Sequence, residues 1–195
     1  MSQLSNRYVP PSGSENPKIY CVGEAPGKQE DEQLEPFVGK AGQLLRIGLA
    51  ETEVTDDEVR FGNCVPFRPI YIDENGIDQN RTPTEEEIDA HRKDVQNDIL
   101  KTNPDVILCL GKTALKAFYP NYNGSVKAAI RNDSFDFNAI PIQVCYHPSY
   151  IERKGGKSAK EYKTEFIPAI KKAIRIYDKD RFSEKKKVKF EYFFL

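Results

Sequence analysis

The stretch Val-Gly-Glu-Ala-Pro-Gly at 22–27, followed by Pro-Phe-Val-Gly at 36–39, decides the fold of this chain. A short apolar run ends at its first glycine, which is typical of a buried strand that leads into a loop. The glycines permit close backbone approach or a positive φ angle, and the proline fixes the path between them. Backbone N–H groups in such a turn can hold a carbonyl oxygen or a developing anion, and Phe37 can stack on a planar ligand. A plain strand–turn–helix crossover with Phe37 in the core is the alternative interpretation.

Short apolar strands alternate with helices along the rest of the chain. The predicted strands are 19–22, 59–64, 106–110 and 140–146, and the predicted helices are 43–50, 84–101, 113–118 and 160–177. Thr84 is a predicted N-cap, and Pro168 is predicted to kink the last helix. We interpret residues 70–79 as a polar insertion in a surface loop. This alternation predicts an α/β fold, a three-layer α/β/α sandwich with a central, mostly parallel four-stranded sheet, whose ligand loops follow the carboxyl ends of the strands.

Length and composition favour one polar domain. The 195 residues are 38% hydrophobic and 30% charged, and no run approaches the roughly 18 apolar residues that span a bilayer. We expect a flexible N-terminal segment at 1–16, one α/β domain at 17–182, and a charged linker with an aromatic C-terminal tail at 183–195. The N-terminus has no apolar signal core, and four dispersed cysteines in apolar runs are typical of reduced proteins. We therefore expect a cytoplasmic, intracellular protein without membrane contact.

Four motifs in order resemble those of the uracil-DNA glycosylase superfamily, and most closely those of its family 4 branch. The motifs lie at 23–31 with 36–45, at 63–69 with 80–84, at 108–114, and at 147–153. The resemblance runs from about residue 19 to residue 176. It implies that the domain at 17–182 is a DNA glycosylase of base-excision repair. Such an enzyme flips the nucleotide out of the helix and hydrolyses the N-glycosidic bond of uracil.

The resemblance also implies roles for individual residues. Backbone N–H groups near Glu24 and Ala25 would hold the O2 atom of the base, and Phe37 would stack on its ring. The Asn63 amide would donate to O4 and accept from N3–H, which separates uracil from cytosine. His147 would donate to O2 as negative charge develops on the leaving base. The alternatives are that Asn63 is a turn residue at a strand end and that His147 is a structural turn histidine.

The sequence leaves open which residue positions the attacking water. This chain has Ala25 where the best-known branch of the superfamily has an aspartate. Besides His147, the catalytic candidates are therefore Glu30 and Asp31, with Glu24 as a further candidate. Glu30 and Asp31 can equally cap the segment that follows them.

Binding to DNA must depend on local basic patches, because the formal net charge is only −1. The predicted DNA-binding residues belong to the His-Pro-Ser motif and the segment after it: Ser149, Tyr150, Ile151, Arg153, Lys154 and Lys157. Within this set, the resemblance implies that Tyr150 or Ile151 wedges into the base stack from the minor groove. Four more residues are candidates for phosphate contacts: Lys28, Lys40, Arg68 and Arg81. A plain solvated loop is the alternative interpretation of the Gly/Lys-rich stretch that follows the motif.

Cofactor binding is the point at which this chain departs from the family 4 pattern. Members of that branch typically carry an iron–sulfur cluster whose ligands begin with a Cys-x-x-Cys pair near the N-terminus. This chain has no such pair, and His91 stands where the family tends to place another cysteine. We therefore predict that the cluster is lost and that no metal or other cofactor is bound. A metal site formed by His91 and Cys109 is conceivable, but His91 as a surface helix residue is the simpler interpretation.

The chain ends in an aromatic run that begins at Phe190 and closes at Leu195, and such a run is costly to leave in water. It either packs on the body or anchors a partner. As an anchor it is similar to the C-terminal peptides that replication proteins insert into sliding clamps. We expect a monomer that acts on uracil-containing DNA, single- or double-stranded, in the nucleoid or in viral DNA.

Three functions remain open from the sequence. The first is a uracil-DNA glycosylase. The second is a superfamily member that processes a different modified pyrimidine in genome modification or defence. The third is a non-catalytic DNA-binding accessory protein of replication. The intact set of Glu24, Phe37, Asn63 and His147 argues against the third.

Overall fold

The structure of the protein is a computed structural model that describes residues 2–182, so the predicted linker and tail at 183–195 lie outside it. The strands in chain order are β1 (Ser2–Leu4), β2 (Ser12–Gly13), β3 (Ile19–Gly23), β4 (Val59–Asn63), β5 (Pro69–Ile72), β6 (Asp78–Asn80), β7 (Val106–Leu110), β8 (Asp136–Phe137) and β9 (Ile140–Cys145). The helices are α1 (Lys28–Gln33), α2 (Lys40–Glu51), α3 (Glu85–Thr102), α4 (Gly111–Lys116), α5 (Val126–Ile130), α6 (Pro148–Arg153) and α7 (Ile167–Tyr177).

The central sheet has the predicted parallel core. Within the described residues its strand order is β2-β4-β3-β7-β9-β8. The four middle strands are parallel, which confirms the predicted four-stranded sheet. The two edge strands, β2 and β8, have two residues each and pair antiparallel. Strands this short carry no period that a sequence pattern can reveal.

The register of the parallel strands aligns their carboxyl ends. Gly23 at the end of β3 lies opposite Asn63 at the end of β4. On the other side of β3, Val22 lies opposite Cys109, and β7 in turn aligns Leu110 with Cys145 at the end of β9. The loops that follow β3, β4 and β9 therefore emerge at one edge of the sheet, where open α/β sheets place their ligands.

Helices cover both faces of the sheet, which confirms the three-layer architecture. On one face, apolar residues of α2, α6 and α7 pack against the strands, including Leu45, Ile151 and Ile170. On the other face, α3, α4 and α5 bury residues such as Ile99 and Leu115. The strands between them are almost continuously buried, as expected for a parallel sheet with both faces covered.

Helix boundaries follow local chemistry. The predicted N-cap Thr84 starts α3 with a capping box, in which its Oγ1 accepts from Glu87 N–H and its own N–H donates to the Glu87 carboxylate. The same helix ends at Asn103, which adopts a left-handed conformation. The predicted helix at 160–177 is interrupted: Tyr162–Phe166 is a π-helical turn, and α7 begins at Ile167 with Pro168 in its first turn. The irregularity near Pro168 is confirmed, and it arises because proline cannot donate to the preceding turn.

The interpretation of residues 70–79 as a surface loop is wrong. Strands β5 and β6 form a hairpin, and β1 adds a third antiparallel strand to it. We call residues 69–80 the β5–β6 hairpin. Its turn is closed by Asp73, whose N–H donates to Ile77 O (3.0 Å) and whose Oδ1 accepts from the N–H groups of Asn75 and Ile77. Asp-x-Asn-Gly favours a turn, because the Asp side chain accepts from nearby backbone N–H groups and Gly permits a positive φ angle. This sequence was the signal from which the hairpin could have been predicted.

The N-terminal segment that we expected to be flexible contributes β1 and β2 and buries Val9. A network around Arg60 holds it to the body. The Arg60 guanidinium donates to Asp98 (2.7 Å), to Glu15 (2.8 Å) and to Gly13 O (3.2 Å), and Tyr20 OH also donates to Asp98 (2.6 Å).

None of the helices between residues 2 and 182 combines the length and the apolar character that a membrane span requires.

Candidate active site

A cavity of about 730 Å³ opens at the carboxyl edge of the parallel strands. Its walls come from the turn after β3, the start of α2, the end of β4, the segment after β6 and the start of α6. Four predicted site residues meet there: Glu24, Phe37, Asn63 and His147. They are far apart in sequence, and the sheet register brings them together.

The turn after β3 is fixed to β4 and to two threonines. Cys64 Sγ donates to Glu24 O (2.9 Å), and Val65 N–H donates to the same oxygen (3.2 Å). The Glu24 carboxylate accepts hydrogen bonds from the Thr113 and Thr82 side chains. Burial raises the pKa of Glu24 above its usual range, although these two hydrogen bonds act in the opposite direction. The backbone of this turn therefore has a defined path along the cavity wall.

Glu30 ties the two glycine-containing loops together. Gly27 N–H donates to Glu30 Oε2 (3.2 Å), and Gly39 N–H donates to Glu30 Oε1 (2.8 Å). The Gly27 contact is half of the capping box that starts α1, as the alternative interpretation held. Glu30 lines the cavity, but both carboxylate oxygens are already used by backbone amides. This geometry makes Glu30 a positioning residue.

Asp31 does not belong to the cavity. It is buried, and its Oδ1 accepts from the Ser5 hydroxyl (2.6 Å), so it holds the N-terminal segment against α1. The prediction that Asp31 positions the attacking water is wrong, since its carboxylate lies outside the lining of the cavity.

Phe37 is held in an unusual conformation beneath the cavity. Its φ angle is 58°, a left-handed value that bulky residues rarely adopt. Its ring packs on Phe61, with 5.5 Å between ring centroids, and Arg46 Nε donates to its carbonyl oxygen (3.2 Å). A methyl group at Gly42 would collide with the Phe37 backbone, so α2 approaches this turn only because residue 42 is glycine.

Asn63 faces Phe37 across Gly23. A methyl group at position 23 would meet Asn63 Oδ1 and would lie only 2.7 Å from Phe37 Cζ. Gly23 therefore leaves just enough room for an amide and an aromatic ring to converge. Together they offer one hydrogen-bonding edge and one apolar face for a planar ligand.

His147 is the N-cap of α6, and its tautomer follows from that role. Ser149 N–H donates to His147 Nδ1 (3.1 Å), so Nδ1 is an acceptor and the ring proton lies on Nε2. Pro148 occupies the first helical turn, where its missing N–H costs nothing. The Nε2–H group is left as a hydrogen-bond donor for a ligand in the cavity.

The environment of His147 keeps it uncharged. Burial, together with the positive charge of Arg153, lowers the pKa of His147 from 6.5 to about 4. At neutral pH the imidazole is therefore neutral, and its Nε2–H group can donate a hydrogen bond without a positive charge on the ring.

The predicted DNA-binding residues divide into three groups. Ser149 and Arg153 line the cavity. Tyr150 stacks on Tyr146 (centroids 4.9 Å apart), with Lys154 Nζ above its ring, and Lys157 forms an ion pair with Glu51. Ile151 is completely buried in the core, so the prediction that it wedges into DNA is wrong. The amphipathic period of a six-residue helix was too short to show which side of α6 faces inward.

The four candidate phosphate contacts also divide. Lys28 and Lys40 line the cavity. Arg81 does so as well, but it is engaged by the Glu87 carboxylate (2.6 and 2.7 Å). Arg68 is only 4% exposed and donates to Asn80 Oδ1 (2.6 Å) and Asp78 (2.8 Å). The suggestion that Arg68 contacts phosphate is therefore wrong, because its guanidinium is used inside the protein.

Sequence reasoning missed several residues of the cavity wall. Thr82 and Thr113 lie in motif regions, but nothing in their spacing indicated that both bind Glu24. Asn80 and Glu152 also line the cavity. Their positions depend on the β5–β6 hairpin and on α6, respectively.

The residues present do not fit the iron–sulfur cluster of the family 4 branch. Cys21, Cys64, Cys109 and Cys145 are free and completely buried, and they divide between the two faces of the sheet, with Cys21 and Cys145 in one core cluster and Cys64 and Cys109 in the other, whereas a cluster needs its cysteines together. In the described part of the chain, no three His, Cys, Asp or Glu residues are grouped so as to hold a metal ion. His91 instead packs on Phe67, with ring centroids 5.2 Å apart.

Known proteins resemble this chain over most of its length. The model of the uracil DNA glycosylase superfamily matches residues 10–171. A Type-4 uracil-DNA glycosylase of Thermotoga maritima is 35% identical over 167 residues, which are 84% of this chain and 81% of that protein. One from Archaeoglobus fulgidus is 29% identical over 172 residues, which are 85% of this chain and 82% of that protein.

A solved structure shares the fold. The crystal structure of Pedobacter heparinus SMUG2 covers 80% of this chain and 75% of its own chain, with a TM-score of 0.53 and 16% identity. The match of the family model to most of the chain, with a relative at 35% identity, confirms the resemblance of the motifs. This chain belongs to the uracil DNA glycosylase superfamily.

Proposed function

We propose that this protein is a uracil-DNA glycosylase that hydrolyses the bond between deoxyribose C1′ and uracil N1, as the first step of base-excision repair. The observation that carries the proposal is His147. A neutral imidazole whose Nδ1 is capped by Ser149 N–H presents Nε2–H at the same cavity as Asn63 and Phe37.

Base selection rests on Asn63 and Phe37. The Asn63 amide donates to uracil O4 and accepts from N3–H, whereas cytosine presents a donor and an acceptor in the reverse order. The Phe37 ring supports the plane of the base. A cavity of this volume holds a nucleotide that has been flipped out of the stack.

His147 stabilises the leaving group. As the C1′–N1 bond breaks, the electron pair moves onto uracil, and Nε2–H donates to O2. A preorganised donor of this kind contributes about 3 kcal/mol to the transition state. The oxygen of water then bonds to C1′, and the proton that water loses balances the charge of the released uracil.

We assign the water-positioning role to Glu24, which lines the cavity and whose carboxylate the Thr82 and Thr113 side chains hold in place. Of the three acidic candidates, Asp31 lies outside the cavity lining and Glu30 has both oxygens engaged by amides. The transition state develops oxocarbenium character, so an oriented water is sufficient and a strong base is not required. Ala25 contributes only backbone to this turn.

The substrate is uracil-containing DNA, and Arg153, Lys28 and Lys40 are the cavity-lining cations that meet its phosphates. The enzyme acts as a monomer on intracellular DNA, in the nucleoid or in viral DNA. The aromatic end at 190–195 is the candidate anchor for a sliding clamp or another replication protein.

Base release from oligonucleotides tests the proposal. We expect alkali-labile abasic sites in DNA that contains one uracil, and none with thymine, hypoxanthine or hydroxymethyluracil at that position. Release of only a different base would show that the enzyme acts on that base and not on uracil. Absence of release from every substrate by folded protein would overturn it.

A further inference from the structure

We propose that the β5–β6 hairpin (residues 69–80) disfavours a second DNA strand at the cavity, so that the enzyme prefers uracil in single-stranded DNA. This inference rests on the proposed function. It deepens that function by naming the form of DNA that the site accepts.

The root of the hairpin is part of the cavity wall. Asn80 closes β6 and lines the cavity, as do the two residues that follow it. Asp78 forms ion pairs with Arg68 (2.8 Å) and with Lys28 (3.9 Å), and Lys28 also lines the cavity. A nucleic acid whose base enters the cavity therefore passes beside this hairpin.

β1 pairs with β5, but the outer part of the hairpin is exposed to solvent. Tyr71 pairs with Gln79, and Ile77 lies two residues before Gln79 on the same face. Tyr71 is 42% exposed and Ile77 is 54% exposed, although both are large apolar residues. Ile70 pairs with Asn80, so the turn that begins at Asp73 lies three residues, or about 10 Å, along the strand from the cavity wall.

The projecting part carries negative charge and no positive charge. Residues 70–80 contain no lysine or arginine and three carboxylates, Asp73, Glu74 and Asp78. The ion pairs at the root balance Asp78, which leaves Asp73 and Glu74 at the turn. Hydrogen bonds to Asp73, from Ile77 N–H first, hold the pKa of its carboxyl below its usual range, so the turn is negative at neutral pH.

Charge is therefore distributed unevenly around the mouth. Arg153 and Lys40 supply positive charge to the cavity lining, whereas the turn of the hairpin, about 10 Å along the strand from Asn80, carries Asp73 and Glu74. Fixed charges act on phosphates over about 10 Å at 0.1 M salt. One flexible strand can follow the basic residues and avoid the turn. A rigid duplex brings a second phosphate backbone and cannot adjust in this way.

The test compares Asp73→Asn/Glu74→Gln with wild type. Asn retains an Oδ1 that accepts from Asn75 N–H and Ile77 N–H, so the backbone of the turn is preserved, and only the hydrogen bond from Gln79 Nε2 to Oδ2 is lost. The matched control is Glu53→Gln/Asp56→Asn, which removes the same charge before β4, at the opposite end of that strand from Asn63. A second test variant, Glu74→Lys, reverses one charge without touching Asp73.

We measure kcat/KM for uracil release from single-stranded and duplex oligonucleotides at low and at physiological salt. Wild type should prefer the single strand. The double variant should raise the duplex value about threefold to tenfold at low salt and leave the single-strand value within about twofold. Glu74→Lys should shift the ratio in the same direction, and the control should leave it unchanged.

Three results would overturn the inference: an unchanged duplex value in both hairpin variants, an equal rise on both substrates, or an equal shift in the control. Wild type that releases uracil equally well from both substrates would also contradict it, while leaving the proposed function intact. Wild type that is inactive on both substrates would overturn the proposed function itself.

Discussion

Replacing Glu30 by glutamine should loosen the cavity wall and lower the stability of the protein together. The carboxylate accepts from Gly27 N–H at 3.2 Å and from Gly39 N–H at 2.8 Å. The glutamine side chain keeps one acceptor oxygen, but it places an NH₂ group against the second amide. The variant therefore loses one charge-assisted hydrogen bond and leaves one backbone donor facing another donor.

The loss of stability can be calculated from the one hydrogen bond that Glu30→Gln removes. A hydrogen bond to a charged group contributes about 1.5–3 kcal/mol, and the partial exposure of Glu30 favours the lower part of this range. For a domain of this size, about 1.5–2 kcal/mol corresponds to a fall in Tm of about 3–8 °C. Because Gly27 and Gly39 flank the site, a similar loss in the transition state lowers kcat by about 10–30-fold.

Thermal unfolding and single-turnover uracil release measure the two effects. Glu32→Gln is the matched control, since only the backbone oxygen of Glu32 is used, as an acceptor for Arg7, and this variant should match wild type in both assays. If Glu30 activated water directly, Glu30→Gln would lose activity at an unchanged Tm. That result would refute its assignment as a positioning residue.

Three further predictions concern the donor, the base pocket and the core. Since the pKa of His147 is lowered from 6.5 to about 4, protonation of His147 should not limit kcat/KM for uracil release above about pH 4, and a limb above that value should come from Glu24, whose pKa burial raises. The contribution of His147 should reduce stability as pH falls from 6.5 to 4. An acid limb near 6.5 that Glu24→Gln leaves in place would contradict this. Gly23→Ala should keep the fold but cut uracil release at least tenfold by displacing Asn63 or Phe37, and full activity would show that these side chains have room to spare. Ile151→Ala should lower the free energy of urea unfolding by about 2–4 kcal/mol, and the folded protein should keep its single-turnover rate of uracil release. Unchanged stability with lost activity would instead show that Ile151 inserts into DNA.

The central sheet was predictable because its strands are apolar runs buried on both faces. Strand β7 occupies the predicted residues 106–110, and β3 differs from its prediction only by Gly23. Edge strands β2 and β8 were not predictable, since two residues carry no pattern. The β5–β6 hairpin was missed because its polar turn outweighed the β-forming Tyr71 and Ile72.

The cavity was partly predictable for a similar reason. Asn63 ends a strand, and Glu24 and His147 follow strands; the register of a parallel sheet brings such positions to one edge. The role of Glu30 was not predictable, because Gly39 reaches its carboxylate only through tertiary structure. The burial of Ile151 depends on the packing of α6 against α2, which a motif does not report.

The most direct test of the account is the single-turnover rate of uracil release from a single-stranded oligonucleotide by wild type and by His147→Ala, with both proteins shown to be folded. Wild type should release uracil, and the rate should fall about 100–1,000-fold in the variant, because the Nε2–H donor to the leaving base is gone. Full activity in His147→Ala would contradict it.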